Sequence, residues 1–347
     1  MQAATHQRLE LSVRVQPWAL LRPFRITGYV WESIDLLFVS LAAGGQIGRS
    51  EAAGVYYKGD TVASMMQKIE SLRARIELGI DRVELQILLP PGGARNALDC
   101  ALWDLEAKLT NRHAWRIAGL RDPHPLLTTF TCGADEPERM AATARAFKGA
   151  RAIKLKLTGE PVDADRVEAV RDAMPDAWLG VDANQGFTRG SLEKLIPTLL
   201  KAKVALIEQP FPVGQEAQLD GLESPIPIAA DESVQGVSDI PRLEGRFDVV
   251  NIKLDKCGGL TEALGMVEAA RARGLDAMVG NMMGTSLGMA PAFLVGQLCR
   301  IVDLDGPVFL KSDRANPVEY TNGRIVCPDS LWGGAAVGSE VSDRLSK

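Results

Sequence analysis

A chain of 347 residues, 46% hydrophobic and 5% aromatic, has room for one large α/β barrel or for a barrel with a smaller companion domain. Its 39 basic and 44 acidic residues leave a net charge of −5 with no basic stripe, which argues against nucleic acid as a partner. The opening MQAATHQRLELSV lacks a signal-peptide core, no apolar run reaches bilayer length, and the five cysteines show no paired spacing, so a cytoplasmic, enzyme-like protein with reduced thiols and no membrane partner is expected.

Residues 1–125 read as a small α+β capping domain. Residues 9–16 and 34–41 alternate as antiparallel strands. A glycine-rich loop spans 42–60 and carries Tyr56, Tyr57 and Lys58. Asp60 is placed to cap a helix over 62–79. A second helix, over 95–109, shows Leu98, Leu102, Leu105 and Leu109 at helical spacing. From 126 to 314, strands and amphipathic helices alternate eight times, the pattern of an α/β barrel catalytic domain. Residues from about 315 to 347 contain Pro and Gly and are expected to pack back on the first domain and complete it. Neither GxxxxGKS/T nor GxGxxG appears, which removes the standard nucleotide cradles. The three histidines end at His124, so a His-liganded zinc site in the barrel and a late-strand histidine base are both excluded.

The barrel stretch carries a ladder of charges at the ends of apolar runs: AIKLKL with Lys154 and Lys156, WLGVDAN with Asp182, ALIEQP with Glu208, PIAADES with Asp231, VVNIK with Lys253, and VDLD with Asp303 and Asp305. From Lys156 to Lys253 the rungs stand 22 to 26 residues apart, one strand–helix unit each. Such runs are buried parallel strands, and the charges at their ends belong to the barrel face where catalytic groups sit. Asp182, Glu208 and Asp231 would converge from three successive strands, and three carboxylates cannot stay ionised together without a cation. An all-oxygen ligand set suits a hard ion, and Mg²⁺ is the expected cofactor. Lys154 and Lys156 are two apart on one strand and share a face. Lys253, on the sixth strand, stands across the barrel mouth from them. Two lysines flanking one carboxylate substrate are what a 1,1-proton transfer requires.

At these residues the chain resembles the enolase superfamily, and within it the muconate-lactonizing-enzyme subgroup. The likeness rests on KLK at 154–156, DANQG at 182–186, EQP at 208–210, ADES at 230–233 and NIKLDKCGG at 251–259, and it extends to ALWDLEAK in the capping domain. It implies a modified (β/α)₈ TIM-type barrel with an N-terminal α+β capping domain. It also implies Mg²⁺ on Asp182, Glu208 and Asp231, acid–base work by Lys156 and Lys253, and Lys154 polarising the substrate carboxylate. Asp303 and Asp305 look like the DxD pair with which dipeptide epimerases hold the substrate ammonium. Tyr29 and Tyr57 stand where Ala-Glu epimerases carry arginines, with Arg22, Arg25 and Lys58 nearby; Tyr29, Tyr57 and Lys58 are the expected contacts to the substrate side chain.

The expectation is therefore a Mg²⁺-dependent dipeptide epimerase, acting through an enediolate at the α-carbon of the C-terminal residue, with a homo-oligomeric assembly. Another lysine-pair enzyme of the subgroup remains open: an N-acylamino acid racemase, an o-succinylbenzoate synthase or a cycloisomerase. A Schiff-base aldolase using Lys253 would need no metal triad, and a catalytically silent barrel would have no use for the lysines.

Overall fold

The computed structural model describes residues 7–26 and 28–335. Its first layer is an antiparallel sheet of β1 (Glu10–Ile26), β2 (Tyr29–Ala43) and β3 (Gln46–Ala52), in that order. β1 and β2 pair from Glu10 with Ala42, slip between Ala19 and Phe24, and resume at Phe24 with Trp31. Both run longer than their alternating segments predict, because ladder bonds continue where the side chains face solvent. β3 lies within the stretch expected to be loop. Its QIGRSEA sequence has little alternation, and pairing with β2 makes it a strand. Gly48 lets a helix lie on it: a Cβ there would sit 2.1 Å from the Ala101 carbonyl oxygen and 2.5 Å from the Leu105 nitrogen.

Four helices follow: α1 (Val62–Ser71), α2 (Arg73–Glu77), α3 (Arg82–Leu88) and α4 (Gly93–Leu109). The helix expected over 62–79 is broken at Leu72. Thr61 caps it rather than Asp60, its side chain accepting from the Ser64 N–H. Asp60 instead accepts from the Gly93 N–H (2.9 Å) and Lys68 Nζ (2.7 Å), which ties the start of α1 to the start of α4. α4 is buried on most of its surface, Leu98, Leu102 and Leu105 included, while Leu109 at its end is 42% exposed. It is sandwiched between the sheet and the barrel, so it feeds both hydrophobic cores: Leu98, Ala101 and Leu105 join the cap, Cys100 and Trp103 the barrel.

Past α5 (Ala114–Ile117) and β4 (Leu126–Leu127), eight parallel strands lie in sequential order: β5 (Phe130–Cys132), β6 (Ala152–Lys156), β7 (Trp178–Asp182), β8 (Val204–Glu208), β9 (Ile228–Ala230), β10 (Val249–Ile252), β11 (Asp276–Val279) and β12 (Ile301–Val302). The Thr129 N–H donates to the Val302 carbonyl at 3.0 Å, so the chain beside β5 meets β12 and the sheet curls into a modified TIM-type barrel. The crossovers carry α6 (Pro137–Ala146), α7 (Asp163–Ala173), α8 (Arg189–Lys201), α9 (Leu254–Cys257), α10 (Leu260–Arg271) and α11 (Ser286–Gly296). Helices were expected in every unit, but those after β8 and β9 hold only 3₁₀ turns at Glu216–Leu219 and Val237–Arg242. Their Pro- and Gly-containing segments cannot sustain a longer helix.

β4, expected to open the barrel, pairs instead in an antiparallel sheet with β13 (Glu319–Thr321) and β14 (Arg324–Val326). The tail then reaches α4, where Trp332 Nε1 donates to the Cys100 carbonyl (3.1 Å) and the Gly333 N–H to Asp104 Oδ1 (2.8 Å). The remainder of the expected tail contact, 336–347, lies outside the described residues. No helix among those residues is long and apolar enough to cross a membrane.

Candidate active site

Strand register builds the site. Lys156 stands beside Asp182 and Asp182 beside Glu208 on β6, β7 and β8, while Asp231, Lys253 and Asp303 directly follow β9, β10 and β12. Ile153 and Leu155 point outward into the core beneath the helices, so Lys154 and Lys156 face the barrel mouth. The backbone bends sharply just past the acids: Asn184, Gln185 and Gln209 all adopt left-handed φ values, of 41°, 68° and 35°. Such conformations cost energy and concentrate at functional sites. Here they are held by hydrogen bonds. The Asn184 N–H donates to Asp182 Oδ1 (2.8 Å), and Gln209 Oε1 accepts from the N–H groups of Asp231 (2.9 Å) and Ser233 (3.0 Å).

Each buried lysine meets a buried acid. Lys156 Nζ lies 2.5 Å from Asp182 Oδ2, and Lys253 Nζ 2.6 Å from Asp231 Oδ2. Lys154 Nζ reaches Asp303 (2.6 Å), Glu208 (3.1 Å) and Asp182 (3.3 Å). A fourth lysine, Lys256 on α9, donates to Asp231 Oδ1 and to the Asp231 carbonyl, both at 2.5 Å. Lys256 was missed from the sequence, although its i+3 spacing from Lys253 in NIKLDK was a readable signal. Glu232 in ADES was missed as well. It is buried, with Oε1 accepting from Asn184 Nδ2 (3.2 Å) and Oε2 unbonded.

Six buried carboxylates (Asp182, Glu208, Asp231, Glu232, Asp303 and Asp305) thus face four buried lysines, a formal excess of two negative charges with every group ionised. Burial followed by the Asp182 charge pushes Glu208 up to about 8, and burial followed by Asp231 pushes Glu232 to about 7. Burial works against Asp231 too, but Lys253 and Lys256 overcome it and hold that carboxyl below its usual range. One oxygen from each of Asp182, Glu208 and Asp231 falls within 4.8 Å of the others. Donor chemistry, spacing and the two-charge excess fit a hard divalent cation. Burial would lower Lys154 and Lys253, but their carboxylate neighbours raise both above the ordinary lysine value.

Asp303 and Asp305, expected to act as a pair, differ in their partners. Asp303 is ion-paired to Lys154 and accepts from Thr129 Oγ1 (2.5 Å), and Lys154 overcomes burial to hold it low. Asp305 accepts from the Thr131 N–H (2.7 Å), and burial with the Asp303 charge raises it to about 6. Both lie beyond the end of β12 rather than within it.

Above the charges opens a cavity of about 540 Å³, walled by Lys154, Lys156, Asp231, Lys253, Asp303 and Asp305 below and by the capping sheet and the 53–63 segment above. Tyr57 joins that wall, its hydroxyl accepting from Gln235 Nε2 at 3.2 Å. Tyr29 and Lys58 do not. Tyr29 is 42% exposed and stacks behind Trp31 (5.5 Å between rings), and Lys58 faces solvent. Arg25 is exposed between Phe24 and Ile26, which do line the cavity, and Arg22 is exposed too. Trp31, Tyr56 and Phe309 were missed, because only folding brings the cap's Trp31 and Tyr56 and the turn carrying Phe309 after β12 to one cavity.

Residues 138–335 match the family described as enolase C-terminal domain-like, and residues 8–119 match the mandelate racemase/muconate lactonizing enzyme N-terminal domain. The L-Ala-D/L-Glu epimerase of Escherichia coli K12 is 38% identical over 312 residues, covering 89% of this chain and 97% of its own. An N-acetyl-D-glutamate racemase from a Pseudoalteromonas species is 42% identical over 253 residues, 73% of this chain and 80% of its own. A solved dipeptide epimerase from Methylococcus capsulatus, complexed with Mg and L-Arg-D-Lys, superposes with a TM-score of 0.87 at 31% identity, covering 93% of this chain and 97% of that one. With both halves matched and the two-part architecture reproduced, the chain belongs to the enolase superfamily, in its mandelate racemase/muconate lactonizing enzyme branch, and is of dipeptide-epimerase type.

Proposed function

We propose that the protein is a Mg²⁺-dependent isomerase that epimerises dipeptides at the α-carbon of the C-terminal residue. The carrying observation is the placement of Lys156 and Lys253 in one cavity, each ion-paired to a different carboxylate of the triad. Asp182, Glu208 and Asp231 would hold the cation, which when bound supplies positive charge to the substrate carboxylate and draws the triad's charge away from the lysines. Lys156 and Lys253 then lie on opposite sides of the α-carbon, so one in its neutral form takes the proton while the other, as ammonium, returns one to the opposite face. Lys154 is held charged by Asp303, Glu208 and Asp182, so it contributes a fixed cation beside the developing negative charge rather than a base. Asp305, which has no cationic partner at hydrogen-bond distance among the described residues, and Asp303 accept the substrate ammonium.

A second reading, an N-acylamino acid racemase, draws on the pairing of Asp303 with Lys154, which leaves Asp305 as the freer acid, and on the racemase relative. One experiment separates them. Free dipeptides and N-acetylamino acids are incubated with enzyme and Mg²⁺ in D₂O, and α-proton exchange is followed by mass spectrometry. Exchange confined to free dipeptides supports the first reading, and equal or faster exchange of the N-acetyl compounds supports the second.

A further inference from the structure

Three in-plane directions leave an α-carbon that is inverted between two lysines. If the carboxylate points to the acid triad and the peptide nitrogen toward Asp303 and Asp305, the side chain must take the third, upward to the cap. The cap-side wall is dominated by Phe24, Ile26, Trp31, Ile34, Tyr56 and Tyr57, with Ser33, Asp35 and Thr61 as its polar members. The rings form one connected set: Phe24 lies 4.8 Å from Phe309, Trp31 5.1 Å from Tyr56, and Tyr56 5.1 Å from Tyr57. Tyr29 backs it edge-on to Tyr56 at 4.6 Å. Three of the chain's four tyrosines are gathered here.

Among the described residues, that wall offers no cation. The only basic side chains lining the cavity are Lys154, Lys156 and Lys253 at its floor, and each is within 2.6 Å of a carboxylate. The one ionisable acid of the wall is Asp35, which faces solvent at its edge. A glutamate side chain would lose water against aromatic faces, gain no counter-charge and meet the Asp35 field. An apolar side chain would be buried by the same surface.

Resting on the epimerase reading, we infer that this enzyme selects substrates whose epimerised residue is large and apolar, with Trp31 as the principal specificity-determining side chain. Its preference then departs from that of the Ala-Glu epimerase it resembles.

The test compares kcat/KM for L-Ala-L-Phe, L-Ala-L-Leu, L-Ala-L-Glu and L-Ala-L-Lys with the Mg²⁺-loaded full chain. The apolar pair should exceed both charged dipeptides by about tenfold or more. Equal or better turnover of the Glu or the Lys dipeptide overturns the assignment. Trp31→Ala should raise KM for L-Ala-L-Phe more than it lowers kcat, and an unchanged KM counts against it. Asp35→Arg, at an exposed position, should raise the Glu:Phe ratio about tenfold by adding the missing cation; an unmoved ratio in the folded variant overturns the geometry. If only N-acetylamino acids are exchanged, the dipeptide reading fails alone, and N-acetylphenylalanine over N-acetylglutamate still upholds the wall. The reverse order overturns it. No exchange in either series overturns both.

Discussion

At the residue scale, the site is a set of lysine–carboxylate pairs in which each proposed proton carrier is tethered to a different acid of the proposed cation site. Lys156 leans on Asp182 and Lys253 on Asp231, while Lys256 supports Asp231 from beneath. Asp231 therefore keeps a buried counter-charge even when Lys253 is removed, which makes Lys253→Ala a structurally tolerable test. Both Lys156→Ala and Lys253→Ala should abolish epimerisation, since a proton must be taken from one face and returned to the other. Each variant should still wash deuterium into one epimer of the substrate and not the other. Wild-type racemisation rates in either variant, measured by chiral chromatography, would refute the two-base assignment.

At the element scale, one contact ties the cap together and another, among several, ties it to the barrel. The first is the packing of α4 on β3 over Gly48. Gly48→Ala would drive a methyl into the Ala101 carbonyl and should destabilise the fold by about 1–3 kcal/mol or more, read as a lower denaturation midpoint. The second is Asp255 on α9, two residues from Lys253. Its Oδ1 accepts from the N–H groups of Ala53 (2.9 Å) and Gly54 (3.1 Å), pinning the segment that leads to Tyr56 and Tyr57. Burial raises the Asp255 carboxyl to about 6, above its unfolded value. A carboxyl shifted upward favours the native state most fully below its unfolded pKa, and that contribution is lost as pH rises through about 6. Asp255→Asn removes the ionisation and keeps an acceptor oxygen. Relative to wild type it should therefore gain stability between pH 5 and pH 8, by about 2 kcal/mol at most. Urea titrations at the two pH values would show it, and a constant difference between the proteins would contradict it.

For the whole molecule, a cation held by the acid triad would couple binding to folding, because the three carboxylates meet only when β7, β8 and β9 are aligned. Mg²⁺ at about a hundred times its dissociation constant should stabilise the native state by about 2.7 kcal/mol and raise Tm accordingly. Asp231→Asn should remain folded and show little of that rise. A full Tm shift in Asp231→Asn, or none in the wild type, would remove the triad from the metal site. The network of Glu51 with Thr285 and Arg314 joins β3, α11 and the chain after the barrel, so cap and barrel should unfold together in these titrations.

Much of the barrel and its charges was legible in the chain itself. Parallel strands buried on both faces must be continuous apolar runs, so AIKLK or VALIE announces itself, and a charge ending such a run needs a partner. That logic located Lys154, Lys156, Asp182, Glu208, Asp231, Lys253, Asp303 and Asp305 without any coordinates. The cap was less legible, because β3 is held by its neighbours rather than by its own pattern, and Thr61 and Asp60 differ as caps only through what lies beside them. Tertiary structure alone decided how the charges pair. Asp303 is neutralised by Lys154 while Asp305 is not, and Lys256 reaches Asp231 through a turn of helix. It also decided the cavity wall, leaving Tyr29 and Lys58 outside and bringing Trp31, Tyr56 and Phe309 in from separate segments. Burial and strand periodicity are local properties that a sequence carries in its spacing; pairing and enclosure are relations between distant residues, and they exist only once the chain has closed.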